Sequence, residues 1–195
     1  MITLPKPILI TLVGASTLGL VAGCWTPPKP MPQMKGMSMA MGTSGLNALK
    51  NLKGKEFDIA YLSQMIAHHQ AAVVMARQAL GVAKMPDVKT NAQHVIDSQT
   101  KEITTMTAWL LKWYGVAPDV KQQALVNDDM KAMMSMPIAS DSAYLEMMTP
   151  HHQGAIEMSQ IAKSRSARPE IKQLAQQIIA AQTKEIADYH KMIGH

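Results

Sequence analysis

The chain has 195 residues, a formal charge of +5 and only 4% aromatic residues. That length supports one domain with its own core and no disulfide staples. Lys and Glu are interspersed, without a basic stripe carrying aromatics, which argues against nucleic acid as a partner. Abundant Ala, Leu, Ile, Met and Gln favour helices over sheets, and the outlying figure is 18 methionines.

Residues 1–23 read as an export signal. Lys6 supplies the positive charge, and Ile8 to Val21 form an uncharged run shorter than the roughly 20 residues a membrane span needs. Val21-Ala22-Gly23-Cys24 resembles a bacterial lipobox, which would attach the chain to a membrane through a lipidated Cys24. Ordinary cleavage near Gly23 and a retained N-terminal anchor are the alternatives. Cys24 is the only cysteine, so the body has neither a disulfide framework nor a thiolate, and any soft-metal ligand there must be His or Met.

Residues 24–56 read as a flexible tail. Its proline-rich start, Trp25 to Pro32, cannot be helical. Met31, Met34, Met37, Met39 and Met41 follow among Gly, Ser, Gln and Lys, and no aliphatic residue occurs there before Leu46. The stretch is either a Met-rich linker or a disordered thioether comb able to capture Cu(I) or Ag(I).

Residues 57–195 carry the helical period. Leu62, Met65, Ile66, His69, Ala72, Val73 and Ala76 predict a helix from Phe57 to about Ala83. Val88 through Leu110 predict a second, running to about Tyr114 and stopped by Gly115. A third starts at Ser140 or Asp141 and runs to about Ser164, with a kink expected at Pro150. The fourth opens at Pro169. Residues 115–140 connect the hairpins and hold a shorter helix, Asp119 to about Met134. Met130, Met133 and Met134 share one of its faces, for packing or for accessory metal capture.

The two hairpins, 58–114 and 141–195, are duplicates. Asp58 matches Asp141 at a shift of 83 (141 − 58 = 83), and without a gap Tyr61/Tyr144, Met65/Met148, His68/His151, His69/His152, Met75/Met158 and Pro86/Pro169 coincide. Gln99-Thr100-Lys101-Glu102-Ile103 likewise matches Gln182-Thr183-Lys184-Glu185-Ile186. Such a repeat predicts an all-α, antiparallel four-helix bundle with approximate two-fold symmetry. In an up-down-up-down arrangement the first and third helices would be parallel, with both His pairs at one height, though the long connection leaves other topologies open.

His69 and His152 fall on the core stripes of their helices, and His68 and His151 flank them. Imidazole in a bundle core costs stability unless it is bonded. Four rings at matched positions, each pair flanked by Met65 and Met75 or by Met148 and Met158, point to a metal rather than to structural histidines. At the same height on the partner helices come positions near Thr104 and Ala187, so Met106 and His190 are further candidates within about one turn. His94 and His195 are surface candidates for Cu(II) or for nothing. Imidazole with thioether suits Cu(I) or Ag(I). A structural zinc site would more often show Cys. A di-iron site needs Glu-x-x-His, which no Glu of this chain begins.

The segments Met65-Ile66-Ala67-His68-His69-Gln70-Ala71 with Met75, and Met148-Thr149-Pro150-His151-His152-Gln153-Gly154 with Met158, resemble the paired-histidine motif of a bacterial family long called a domain of unknown function. Its members are ferritin-like four-helix bundles. The resemblance implies that His68, His69, His151 and His152 bind monovalent copper or silver in the bundle core. It also implies a metallochaperone or sequestering role in copper resistance, in the periplasm or outside the cell. Pro150 stands where the first copy has Ala67, so the two sites need not be equivalent. A copper sensor or efflux system of the envelope would be the partner. The alternatives are a cuprous oxidase, for which no acid–base pair or nucleophile is apparent, and a metal-free structural bundle.

Overall fold

The structure, a computed structural model, describes residues 43–194. The expected signal, Cys24, the Met31–Met41 stretch and His195 lie outside the described residues. Six α-helices and no strand occur among them: α1 (Thr43–Asn51), α2 (Gly54–Val82), α3 (Pro86–Trp109), α4 (Val120–Met134), α5 (Asp141–Arg165) and α6 (Pro169–Ile193). α2, α3, α5 and α6 form the four-helix bundle, with the closest packing inside each hairpin and between α2 and α5. None of these helices is long and apolar enough to cross a membrane.

Local chemistry sets the helix ends. Pro86 and Pro169 open α3 and α6 at the first turn, where a missing N–H costs nothing. The Ser140 hydroxyl caps α5 by accepting from the Ala143 amide at 3.1 Å, and the Asp119 carboxylate caps α4 by accepting from the Lys121 amide at 2.8 Å. α5 runs as one helix through Pro150. α3 widens into a π-helical turn, Leu110–Tyr114, ended by Gly115 at φ 68°, a left-handed conformation that favours glycine.

The folded body begins earlier than the tail assignment of 24–56 placed it. α1 buries Leu46 and Leu49, and the Gly45 amide donates to Asp129 of α4 at 3.2 Å. Two apolar side chains in a nine-residue amphipathic turn gave too short a period to separate helix from linker.

α2 and α5 run antiparallel, contrary to the up-down-up-down reading. The start of each lies beside the end of the other. The Asp58 carboxylate, buried near the start of α2, accepts from Ser166 Oγ and Tyr114 OH, both at 2.6 Å. Its repeat partner Asp141, at the start of α5, accepts from the amides of Lys84 and Met85 at 3.0 and 3.3 Å. Each hairpin therefore clasps the turn of the other with an aspartate in the same place. Burial and the Asp58 hydrogen bond push the Tyr114 hydroxyl up to about 12 against the pull of Arg168, so it remains a donor. The Arg168 guanidinium lies 4.0 Å over the Trp113 ring.

The long connection makes this topology. α4 returns alongside α2, where Ser63 Oγ accepts from the Asp119 amide at 2.9 Å and Gln64 Nε2 donates to Gln122 at 2.8 Å. One crossover, rather than three short loops, distinguishes ferritin-like bundles from simple up-and-down ones. Covered by α3, α4 and α5, α2 is buried nearly all round from Phe57 to Ala79, and its buried polar residues Asp58, Ser63 and Gln64 are hydrogen-bonded to the neighbouring segments. Of the connector methionines, Met130 and Met133 are buried, while Met130 and Met134 line an α2–α4 groove with Ala67, Ala71 and Val74.

Candidate metal centre

The antiparallel crossing of α2 and α5 brings the two His pairs together. The ring centroids of His68 and His151 are 3.7 Å apart, with their planes at 37°, across the approximate two-fold axis of the repeat. His69 and His152 stand outside this central couple, 6.3 and 6.2 Å from their sequence neighbours. All four side chains are buried, none more than 1% exposed.

The outer rings are held from the second helix of each hairpin. Glu102 of α3 lies 2.6 Å from His69 Nε2, and Glu185 of α6 lies 2.8 Å from His152 Nε2. An ionised carboxylate only accepts, so in the neutral ring Nε2 carries the proton and donates. That leaves Nδ1 as the lone-pair nitrogen on His69 and His152. Neither Nδ1 has a protein partner, and neither nitrogen of His68 or His151 has one. A buried polar atom left unbonded typically costs about 1–3 kcal/mol. Several at one place mark a site built for something other than packing.

Charge state favours ligation as well. Burial holds His68 and His151 well below the ordinary imidazole value, and the neighbouring rings reinforce it. Burial also lowers His152, against the opposite pull of Glu185. Burial would raise Glu185, but its contacts with His152 and His94 outweigh that and leave it lowered. Neutral rings beside ionised carboxylates are the form that binds metal, and the carboxylate partner both fixes the tautomer and raises ligand basicity.

Among the remaining candidates, Met65, Met75, Met106, Met148 and Met158 are all buried in the same apolar core. His190 is exposed, and the inward place on α6 belongs to its neighbour Tyr189, whose hydroxyl lies 3.0 Å from His152 Nε2. His190 therefore stands near the height of the His pairs but on the outer face of α6. His94 is 64% exposed, yet its Nδ1 lies 3.1 Å from the other oxygen of Glu185. No group of three or more His, Cys, Asp or Glu converges as a ready-made cage among the described residues. Imidazole pairs and thioethers are the available donors.

Glu102, Glu185 and Tyr189 are the residues sequence reasoning missed. Glu102 and Glu185 sit inside the second repeated stretch, two positions from the Thr104 and Ala187 height. A repeat that preserves an acid 33 residues after each second histidine was the available signal. Gln99 and Gln182, from the same stretches, are also buried, each with an unpartnered Oε1.

The halves differ at this centre. Tyr189 falls, by the shift of 83, where the first half has Met106, and His94 falls where the second has Gln177.

Comparison with known proteins agrees with this architecture. The chain is 29% identical to CopM in its Cu(II)-bound form, over 69% of this chain and 94% of that one, with a TM-score of 0.61. Against CopM in the Ag-bound form obtained by soaking, identity is 30% over 69% and 93%, with a TM-score of 0.60. A DUF305 fragment from Deinococcus radiodurans is 25% identical over 70% and 95%, with a TM-score of 0.58. An uncharacterized protein, L153, of Acanthamoeba polyphaga mimivirus is 39% identical over 62 residues, 32% of this chain and only 41% of that protein. The family model described as domain of unknown function DUF305 matches residues 24–110 and 115–193, each stretch holding one His-His pair, and the chain belongs to that family.

Proposed function

We propose that this protein binds Cu(I) or Ag(I) at the crossing of α2 and α5 and serves as an exported buffer or metallochaperone in copper homeostasis. The observation that carries the reading is the set of buried imidazoles whose ring nitrogens lack protein partners, centred on the His68–His151 couple. His68, His69, His151 and His152 supply nitrogen, and the buried Met65, Met75, Met148 and Met158 are the thioethers within the same core. Soft ions accept such donors at low coordination number, without the carboxylate cage a hard cation demands. The likeness to CopM, solved with Cu(II), Cu(I) and Ag, supports the choice of metal.

The ion is cargo, and no catalytic step is assigned to it. A sensor or efflux system of the envelope would exchange it, and the signal-like composition of residues 1–23 supports a place outside the cytoplasm. Exposed His94 with Glu185 is the candidate for a weaker Cu(II) site.

Anaerobic titration with Cu(I) against a competing chromogenic chelator tests the reading. The native chain should retain Cu(I) and the quadruple variant H68A/H69A/H151A/H152A should lose the core affinity. Equal affinity in the two would overturn the assignment.

A further inference from the structure

The buried rings raise the question of how an ion reaches them. α4 packs along α2 on one side, and elsewhere α3 and α6 flank a groove of about 530 Å³. Its lining includes Lys101, Glu102, Trp109, Gln177 and Ala181. Glu102 thus has two surroundings at once: 24% of its side chain meets solvent, and its Oε2 is 2.6 Å from buried His69.

The repeat supplies an internal control. In the other half Glu185 occupies the place of Glu102 but is only 12% exposed, and His94 lies across it at 3.1 Å. The residue matching His94 is Gln177, which lines the open groove. One carboxylate faces solvent and the other is covered by a histidine.

Resting on the metal-binding reading above, we infer that the α3–α6 groove is the port through which a soft monovalent cation enters and leaves. Glu102, which shares the groove lining with Glu170, is the carboxylate that joins the groove to His69, and it must swing from His69 to admit the ion. His94 is the latch that closes the equivalent path over Glu185. The carboxylate attracts the cation at the rim, swings aside to let it pass, and returns to Nε2 of His69 once the ion is inside. The ion then passes to the unpartnered nitrogens inside. No bond other than the hydrogen bond is broken, and no electron is transferred.

A port changes rates in both directions and leaves the equilibrium where it was. The test is stopped-flow exchange of Cu(I) between the full chain and a chromogenic chelator under anaerobic, reducing conditions. Ala181→Phe fills the groove with an apolar ring and should slow uptake and release together, by about tenfold, with Kd unchanged. Gln177→His copies the latch onto Glu102 and should slow uptake, while His94→Gln opens the second path and should speed it. Uptake within twofold of native in both Ala181→Phe and Gln177→His, at normal Cu(I) stoichiometry, would overturn the port and leave the binding site standing. A native chain that takes up no Cu(I) at all would overturn both.

Discussion

The two hairpins place the same residues at the same register and surround them differently. In the first, His69 has a single partner, Glu102, which faces a solvent groove, and Met106 lies where the second half has a tyrosine. In the second, His152 has both Glu185 and Tyr189 at one nitrogen, and His94 covers the carboxylate. The central pair, His68 with His151, belongs to both halves and has no protein partner. The difference teaches that the repeat keeps the four imidazoles in matching places while their outer partners differ. One half is the more open and the other the more fixed.

That contrast can be broken most severely at its shared centre. His68→Ala with His151→Ala should lower Cu(I) affinity by more than about a hundredfold, exceeding the ten- to hundredfold effect of losing an outer partner. Chelator competition measures it, and circular dichroism should show the helices intact.

Next come the outer carboxylates. Glu102→Gln and Glu185→Gln should each weaken binding about ten- to hundredfold, because a neutral amide polarises imidazole less. The same competition assay separates this from an effect on folding, since Gln is of similar volume and both acids contact the site only from its edge. Equal affinity in all three proteins would remove the carboxylates from the site.

On stability the paired clasps give an unequal comparison. Asp58 is buried with two hydroxyl partners, so Asp58→Ala should cost about 2–3 kcal/mol. Asp141, more exposed and bonded to loop amides, should cost about 1 kcal/mol. Urea unfolding with and without metal reads both.

The smallest expected effect is at Tyr189. Tyr189→Phe removes one hydroxyl from His152 and should weaken binding severalfold at most, at about 0.5–1.5 kcal/mol for a neutral hydrogen bond. An effect as large as that of Glu185→Gln would mean that the tyrosine, and not the acid, sets the ring.

Much of this was legible in the sequence for a definite reason. Burial of apolar residues at period 3.6, proline at Pro86 and Pro169, and the ungapped shift relating Asp58 to Asp141 are local or self-similar signals, and they determine the helices and their pairing. The relative direction of α2 and α5 was not legible, because it depends on the path of residues 115–140, which no local pattern states. α1 is not legible because Leu46 and Leu49 acquire meaning only in the assembled core they enter. Glu102 and Glu185 were overlooked because a charged residue on a helix is usually solvated, and only the opposing His shows otherwise. Height along α6 points to His190, but height alone does not state the face, and the inward place belongs to Tyr189.

The central claim is that soft metal is held by these rings, through Nδ1 of His69 and His152 while Nε2 stays bonded to its acid. Nitrogen NMR of ¹⁵N-imidazole-labelled protein, titrated with Ag(I), tests it most directly. The account predicts that Nδ1 of His69 and His152 shifts on binding, with Nε2–H retained, and that the His68 and His151 resonances change with them. Stoichiometric silver binding that leaves all four ring spectra unaltered would contradict it.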